Sequence, residues 1–205
     1  FYAFGNIKTL AKKITYDNGM LNYLDNTTNN KNNPNENYSR EFLELFTILK
    51  GPQIGEGNYT NYTETDIQTT AKIFSGIKMK PNRDVIDPDT GIPMGYALVG
   101  QHNTDSKTFS NAFNNQTISG QSDEAGIKQE IDDYVEMVFA KEETAKAYVR
   151  KIYRYFVKSE WDQEVEDNII TPLSAQLIAS DYNLLDVLKT LLKSEHFYDE
   201  DDSDS

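Results

Sequence analysis

The amino-acid sequence predicts a mainly α fold, a helical, bundle-like domain with a small irregular or β-hairpin insertion around residues 77–117. Three observations carry this. Apolar residues recur at helical spacing over most of the chain, as one buried helix face requires. Helix start and stop signals bracket those stretches. Between Ile77 and Thr117 the helical period disappears and Pro, Asp and Gly punctuate the chain instead.

The elements follow in order. Phe4, Ile7, Leu10, Ala11 and Ile14 share one face, predicting an amphipathic helix from near the first residue. This uncapped start at Phe1 leads us to expect that sequence upstream has been removed, with any targeting signal. Met20–Leu24 is a short apolar segment, and Asp25–Asn37 is loop: 7 of its 13 residues are Asn, which bonds its own backbone and favours turns. Helical spacing resumes from Tyr38 to Leu49 and stops at Gly51-Pro52, before a Gly-rich linker. Thr63 followed by Asp66 is close to a capping box and opens a helix with Ile67, Ala71 and Phe74 inside, ending at Ser75-Gly76.

Ile77–Lys80 and Tyr96–Val99 are candidate short strands joined by a turn-rich connection. The last third is helical. Ile127, Ile131, Tyr134, Val135, Val138 and Phe139 form one buried face, and Ala145, Tyr148, Val149, Ile152 and Phe156 a second. A third helix covers Leu173–Ile178, started by Pro172, and a fourth has Leu184, Leu188 and Leu191 behind an Asn183 N-cap. We expect a single domain over 1–198 and a disordered acidic tail at 199–205, where five of seven residues are Asp or Glu.

Composition excludes several function classes. The chain has 205 residues, 20 Lys+Arg against 33 Asp+Glu, and a net charge of −13, which argues against sequence-independent nucleic-acid binding and against an anionic membrane surface. No run approaches the roughly 20 apolar residues of a membrane-spanning helix. With 0 Cys there is no thiolate nucleophile and no Cys-based metal site. Hydrophobic residues at 38% suffice for a packed core.

The densest polar cluster is Asn35–Leu45, where Glu36, Arg40 and Glu44 are spaced i, i+4, i+8 and Glu41 lies on the same arc. A solvated helix face is the plain reading; a site is the sharper one. Glu41 and Glu44 match half of an inward-facing Glu-x-x-His metal pattern, but no His follows on this helix. His102, in a polar loop with Asp105 and Lys107, is either a general base or metal ligand or an ordinary loop residue. His196 reads as a cation complementing a helix C-terminus. Asp84, Asp87 and Asp89 before Gly91 form a turn, with calcium as the minor alternative.

Several of these segments together are similar to a known family. Met20–Asn26, Pro34-Asn35-Glu36-Asn37-Tyr38-Ser39-Arg40-Glu41 with Glu44–Thr47, Tyr62–Ile67, Gln101–Phe109, Thr144–Val157 and Leu191–Phe197 resemble, in order, landmarks of the domain-of-unknown-function 1800 family. Asn103 stands where the family usually has Asp, and Asp105-Ser106 replaces a small residue and Gly. The resemblance implies a largely helical protein, often exported and often encoded beside a family similar to sulfatases and alkaline phosphatases, with no established reaction. It also implies that the chain is a C-terminal-half fragment in a Bacteroidetes-like version. A motif built on Glu36, Arg40, Glu41 and Glu44 then serves either a buried packing network or a site.

The functional expectation is an extracytoplasmic (periplasmic, outer-surface or secreted) binding or accessory module for a partner protein, sulfatase- or phosphatase-like in character, or for a polysaccharide. The first alternative is a hydrolase-type or metal-assisted enzyme using Glu36, Arg40, Glu41, Glu44, His102 and Lys107, with Glu64 and Asp66 as further carboxylates. The second is a purely structural scaffold. No cofactor, metal or oligomeric state is assigned.

Overall fold

The computed structural model describes residues 5–198. Phe4 of the first helical face and the acidic run 199–205 therefore lie outside the described residues. The helices are α1 Ile7–Ile14, α2 Asn18–Tyr23, α3 Asn37–Glu41, α4 Glu64–Ile73, α5 Glu124–Phe139, α6 Glu142–Phe156, α7 Gln163–Val165, α8 Thr171–Ala179 and α9 Leu184–Leu192. Three antiparallel hairpins complete the fold: β1 Gln53–Gly55 with β2 Asn58–Tyr59, β3 Ile77–Lys78 with β4 Tyr96–Ala97, and β5 Lys107–Thr108 with β6 Thr117–Ile118. The mainly α class with a hairpin insertion is what the sequence predicts, and the β3–β4 register pairs Ile77 with Ala97 and Lys78 with Tyr96. The other two hairpins carried too few alternating residues to announce themselves.

The chain's contacts divide it into two compact units, Phe1–Leu10 with Phe139–Ser205, and Ala11–Val138. The second unit is built on aromatic rings. Phe42, Phe74, Phe109 and Tyr134 are buried, with Phe42–Phe74 centroids 5.2 Å apart, Phe74–Tyr134 5.4 Å and Phe109–Tyr134 5.5 Å. Two of the buried phenols are satisfied from within: Thr70 donates to Tyr134 at 2.8 Å, and the Tyr38 hydroxyl lies 3.0 Å from that of Thr15.

The Asn-rich loop is an ordered clamp. Asn26 and Asn29, both 0% exposed, donate to the carbonyls of Phe74 (3.3 Å) and Ala71 (2.9 Å) at the end of α4, where a helix leaves carbonyls unpaired. Lys78 then ties the loop down by donating to Thr27 O and Asn29 O at 2.5 and 2.9 Å. Helical spacing predicts one helix from Tyr38 to Leu49, but α3 passes into a π-helical turn at Phe42–Phe46. Thr47 Oγ1 donates to Phe42 O at 2.6 Å, and Leu49, at φ 62°, returns its amide to Leu43 O at 2.9 Å, so the helix closes early.

In the first unit, α6 and α8 form the main contact and α9 packs on α8. Pro172 opens α8 and Asn183 caps α9 through Leu185 N, as the sequence predicts. Here the sequence underestimates one element: α7, a π-helical turn at Glu166–Ile170 and α8 run on without a break. Tyr182 locks the unit, its ring 4.8 Å from Phe139 and its hydroxyl donating to Phe139 O at 2.5 Å.

Candidate functional site

Two polar clusters, both in the second unit, hold Glu36, Arg40, Glu44 and Glu64 on the one hand and His102 and Lys107 on the other. The first surrounds Arg40. The helical spacing of α3 puts Glu36 and Glu44 one turn either side of Arg40, at 3.3 and 3.9 Å. The capping box of α4 supplies the third carboxylate. Thr63 accepts from Asp66 N and Asp66 accepts from Thr63 N, which sets Glu64 at the first turn facing Arg40. Arg40 then binds Glu64 with both arms, at 3.1 and 2.5 Å.

That bidentate bond pushes the Arg40 guanidinium up and holds Glu64 below the ordinary carboxylate range. Lys50 joins at 3.0 Å from Glu44 and lies 5.2 Å over the Tyr59 ring of β2. The Tyr62 phenol is 0% exposed and faces Glu44; burial first, then that charge, pushes it far above its usual range. Arg40 itself keeps 35% of its side chain exposed, so this is a surface network rather than a core one.

Asp66 is different in kind. It is 0% exposed and its two oxygens accept from Ser110 N (2.7 Å), Ser110 Oγ (2.7 Å), Thr63 N (2.8 Å) and Thr63 Oγ1 (2.9 Å). A carboxylate so satisfied fastens the Ser110 turn to the start of α4.

The second cluster joins His102, Lys107 and Glu130, whose side chains are all 0% exposed. Lys107 Nζ lies 2.6 Å from Glu130 Oε1 and also donates to Asn103 O. Glu130 Oε2 accepts from Gln121 N at 2.9 Å and lies 3.2 Å from His102 Nε2. His102 Nδ1 lies 2.8 Å from the Ser75 carbonyl, which only accepts, so Nδ1 carries a hydrogen. Burial holds the Lys107 ammonium below the usual lysine range, while Glu130 draws it back up. Gly76, at φ +77°, allows this approach: a Cβ there would sit 2.8 Å from His102 N.

The family described as "Protein of unknown function (DUF1800)" matches residues 1–204. The chain belongs to the DUF1800 family. No curated protein and no solved structure matches it.

In this DUF1800 member the motif residues Glu36, Arg40 and Glu44 come together with Glu64, and His102 comes together with Lys107. The two groups share no hydrogen bond or ion pair among the described residues, and the second has no exposed side-chain surface. Glu41 is half-buried on α3 and pairs with no cation among the described residues. Sequence reasoning missed Glu130, although its signal was present: Glu130 falls between Ile127, Ile131 and Tyr134 on the buried face of α5. Gln121 acts through its backbone amide and leaves no sequence signature, whereas Ser75 offers both its carbonyl to His102 Nδ1 and its Oγ, which accepts from Asn103 N at 2.9 Å.

Among the described residues, no three His, Asp or Glu side chains are grouped to hold a metal ion, and no helix is long and apolar enough to cross a membrane. The Asp84–Gly91 turn carries its own cation, with Lys13 Nζ 2.6 Å from both Asp87 and Asp89. His196 does not complement the end of α9. It lies in a 3-10 turn, its Nε2 2.8 Å from the Tyr153 hydroxyl, because the chain continues past α9 and returns to α6.

Proposed function

We propose that this DUF1800 chain is a binding or accessory module, and that its contact surface is the Arg40 network with the β1–β2 hairpin beside it. The fit is to a partner protein or polysaccharide outside the cytoplasm, a phosphatase- or sulfatase-like protein being the first partner to try. One observation carries the reading: the charged motif is half-exposed and pre-arranged, while His102 and Lys107 are enclosed. Arg40 is held by Glu64, Glu36 and Glu44, so its guanidinium and the carboxylate edges present fixed donors and acceptors at little ordering cost. Beside them Ile54 of β1 is 68% exposed, and Gly57 in the hairpin turn packs against Glu64.

Titration calorimetry with a panel of polysaccharides and with the purified phosphatase-like partner tests this. The wild-type chain binds one of them with micromolar or better affinity, and Arg40→Ala weakens binding at least tenfold while leaving the fold intact. Absence of binding throughout, or equal binding by Arg40→Ala, ends the proposal.

The π-helical turn at Phe42–Phe46, directly after Glu41, favours a second reading, because such turns often mark functional sites. In that reading Glu41 and Glu44 act as acid and base of a hydrolase. Turnover of an ester or glycoside substrate that Glu41→Gln abolishes would support it over the first.

A further inference from the structure

Lys107 of β5 and Glu130 of α5 bring an amine and a carboxyl into contact in a space closed to solvent. Lys107 Nζ lies 2.6 Å from Glu130 Oε1, and both side chains are 0% exposed. The contact is not aligned as a hydrogen bond, for Oε1 is buried and accepts none. The other carboxyl oxygen is fixed: Oε2 accepts from Gln121 N at 2.9 Å and lies 3.2 Å from His102 Nε2. The nitrogen is fixed as well, since it donates to Asn103 O. Burial holds Lys107 below the usual lysine range, and desolvation favours the neutral forms of amine and acid alike. A nucleophile and an electrophilic carbon are thus held together with no water between them.

We propose that Lys107 and Glu130 condense slowly into an intramolecular amide, a covalent cross-link between β5 and α5. The ion pair is the state from which the step begins, so newly made chain carries it. One ammonium proton passes to Oε1, leaving a neutral amine beside a carboxylic acid. Nζ then attacks Cδ, and the negative charge that grows on Oε2 meets the Gln121 N–H, placed as an oxyanion donor is. A second nitrogen proton follows to Oε1, the Cδ–Oε1 bond breaks, and one water leaves. Oε2 remains as the amide oxygen, and the last hydrogen on nitrogen keeps its bond to Asn103 O. Atoms and charge balance without any other reactant. Holding the two groups together replaces a bimolecular encounter, for which effective molarities of about 10⁵ M or more are attainable. Enclosure also keeps out the water that would reverse the step. The product would constrain the unfolded chain between residues 107 and 130 as a disulfide does.

Intact-mass spectrometry of the full chain, followed by proteolysis and peptide mapping, tests this. A form lighter by one water should be minor in newly purified chain and grow to the major species over days of incubation. In that form trypsin no longer cuts after Lys107, and the peptides holding Lys107 and Glu130 appear as one branched product. Wild-type chain held in concentrated guanidinium chloride keeps both groups and loses the enclosure, so it should retain its full mass. Lys107→Met, which replaces the amine by an apolar chain of similar length, should retain its full mass too. The denatured wild type serves as the control even if that variant fails to fold. A native-chain mass that stays constant over days overturns the proposal. So does a lost water that maps elsewhere while trypsin still cuts after Lys107, and so does linking that proceeds as fast in the denatured chain.

Discussion

Replacing Glu130 by Gln keeps the shape of the side chain and removes its charge. In the wild type Glu130 Oε1 faces the Lys107 ammonium at 2.6 Å and Oε2 faces His102 Nε2 at 3.2 Å, with all three side chains sealed from solvent. The variant offers the buried ammonium at best a neutral amide oxygen beside the Asn103 carbonyl, and in that orientation it turns an amide NH2 toward Gln121 N, which loses its acceptor. Breaking a buried pair by removing one partner costs about 3–5 kcal/mol, mainly because the other charge stays buried and unpaired. Spread over a chain of this size, that corresponds to a fall in Tm of roughly 6–20 °C, at about 2–4 °C per kcal/mol.

Urea unfolding followed by circular dichroism gives the free-energy difference, and a thermal scan gives the shift. The double variant Glu130→Gln with Lys107→Met removes the stranded charge and should recover at least about 1 kcal/mol of the loss. A single-variant loss below about 1 kcal/mol, or no recovery in the double variant, would refute the claim that this triad is a closed ionic unit.

Three further outcomes follow from the same geometry. Asp66→Ala strips four accepted hydrogen bonds at a fully buried carboxylate and should cost at least about 3 kcal/mol, against about 1 kcal/mol for Thr63→Ala, which loses mainly the cap; urea midpoints compare the two. Gly76→Ala forces a side chain into the left-handed region, about 1–2 kcal/mol by itself, and against His102 N at 2.8 Å, so its thermal midpoint should drop further than that of Gly100→Ala, which meets open space. Burial works to raise Glu166, but Arg150 and Trp161 hold it below the usual carboxylate range, so its contribution to stability is complete above about pH 4.3 and is lost as the pH falls through the depressed folded value. Glu166→Gln should therefore flatten the acid limb of a stability–pH curve below about pH 4.3, and an unchanged limb would rule that contribution out.

The helices could be read from the sequence wherever burial imposed a period. The α5 and α6 faces, the Thr63 capping box, Pro172 and the Asn183 cap are all local signals, and each marks an element the structure contains. The early end of α3 was hidden because Thr47 and Leu49 close it through backbone acceptors, and Leu49 is not a residue that announces a positive φ. The Asn-rich segment looked like loop and is one, but its anchoring on α4 depends on Asn26 and Asn29 reaching carbonyls more than forty residues away. The site divided in the same manner. Glu36, Arg40 and Glu44 were linked by helical spacing, whereas Glu64 joined them only through the packing of α4 on α3. His102 and Lys107 looked like free polar groups in a polar loop, because the carboxylate that encloses them, Glu130, stands on a different element.

The central claim is that the Arg40 surface makes the contact and that the His102–Glu130–Lys107 cluster supports the fold from inside. Hydrogen–deuterium exchange of the chain alone and with its bound partner or polysaccharide tests this most directly. Protection on binding should be confined to peptides spanning residues 36–64, with those spanning 99–130 unchanged. Protection centred on 99–130, with 36–64 unaffected, would contradict it.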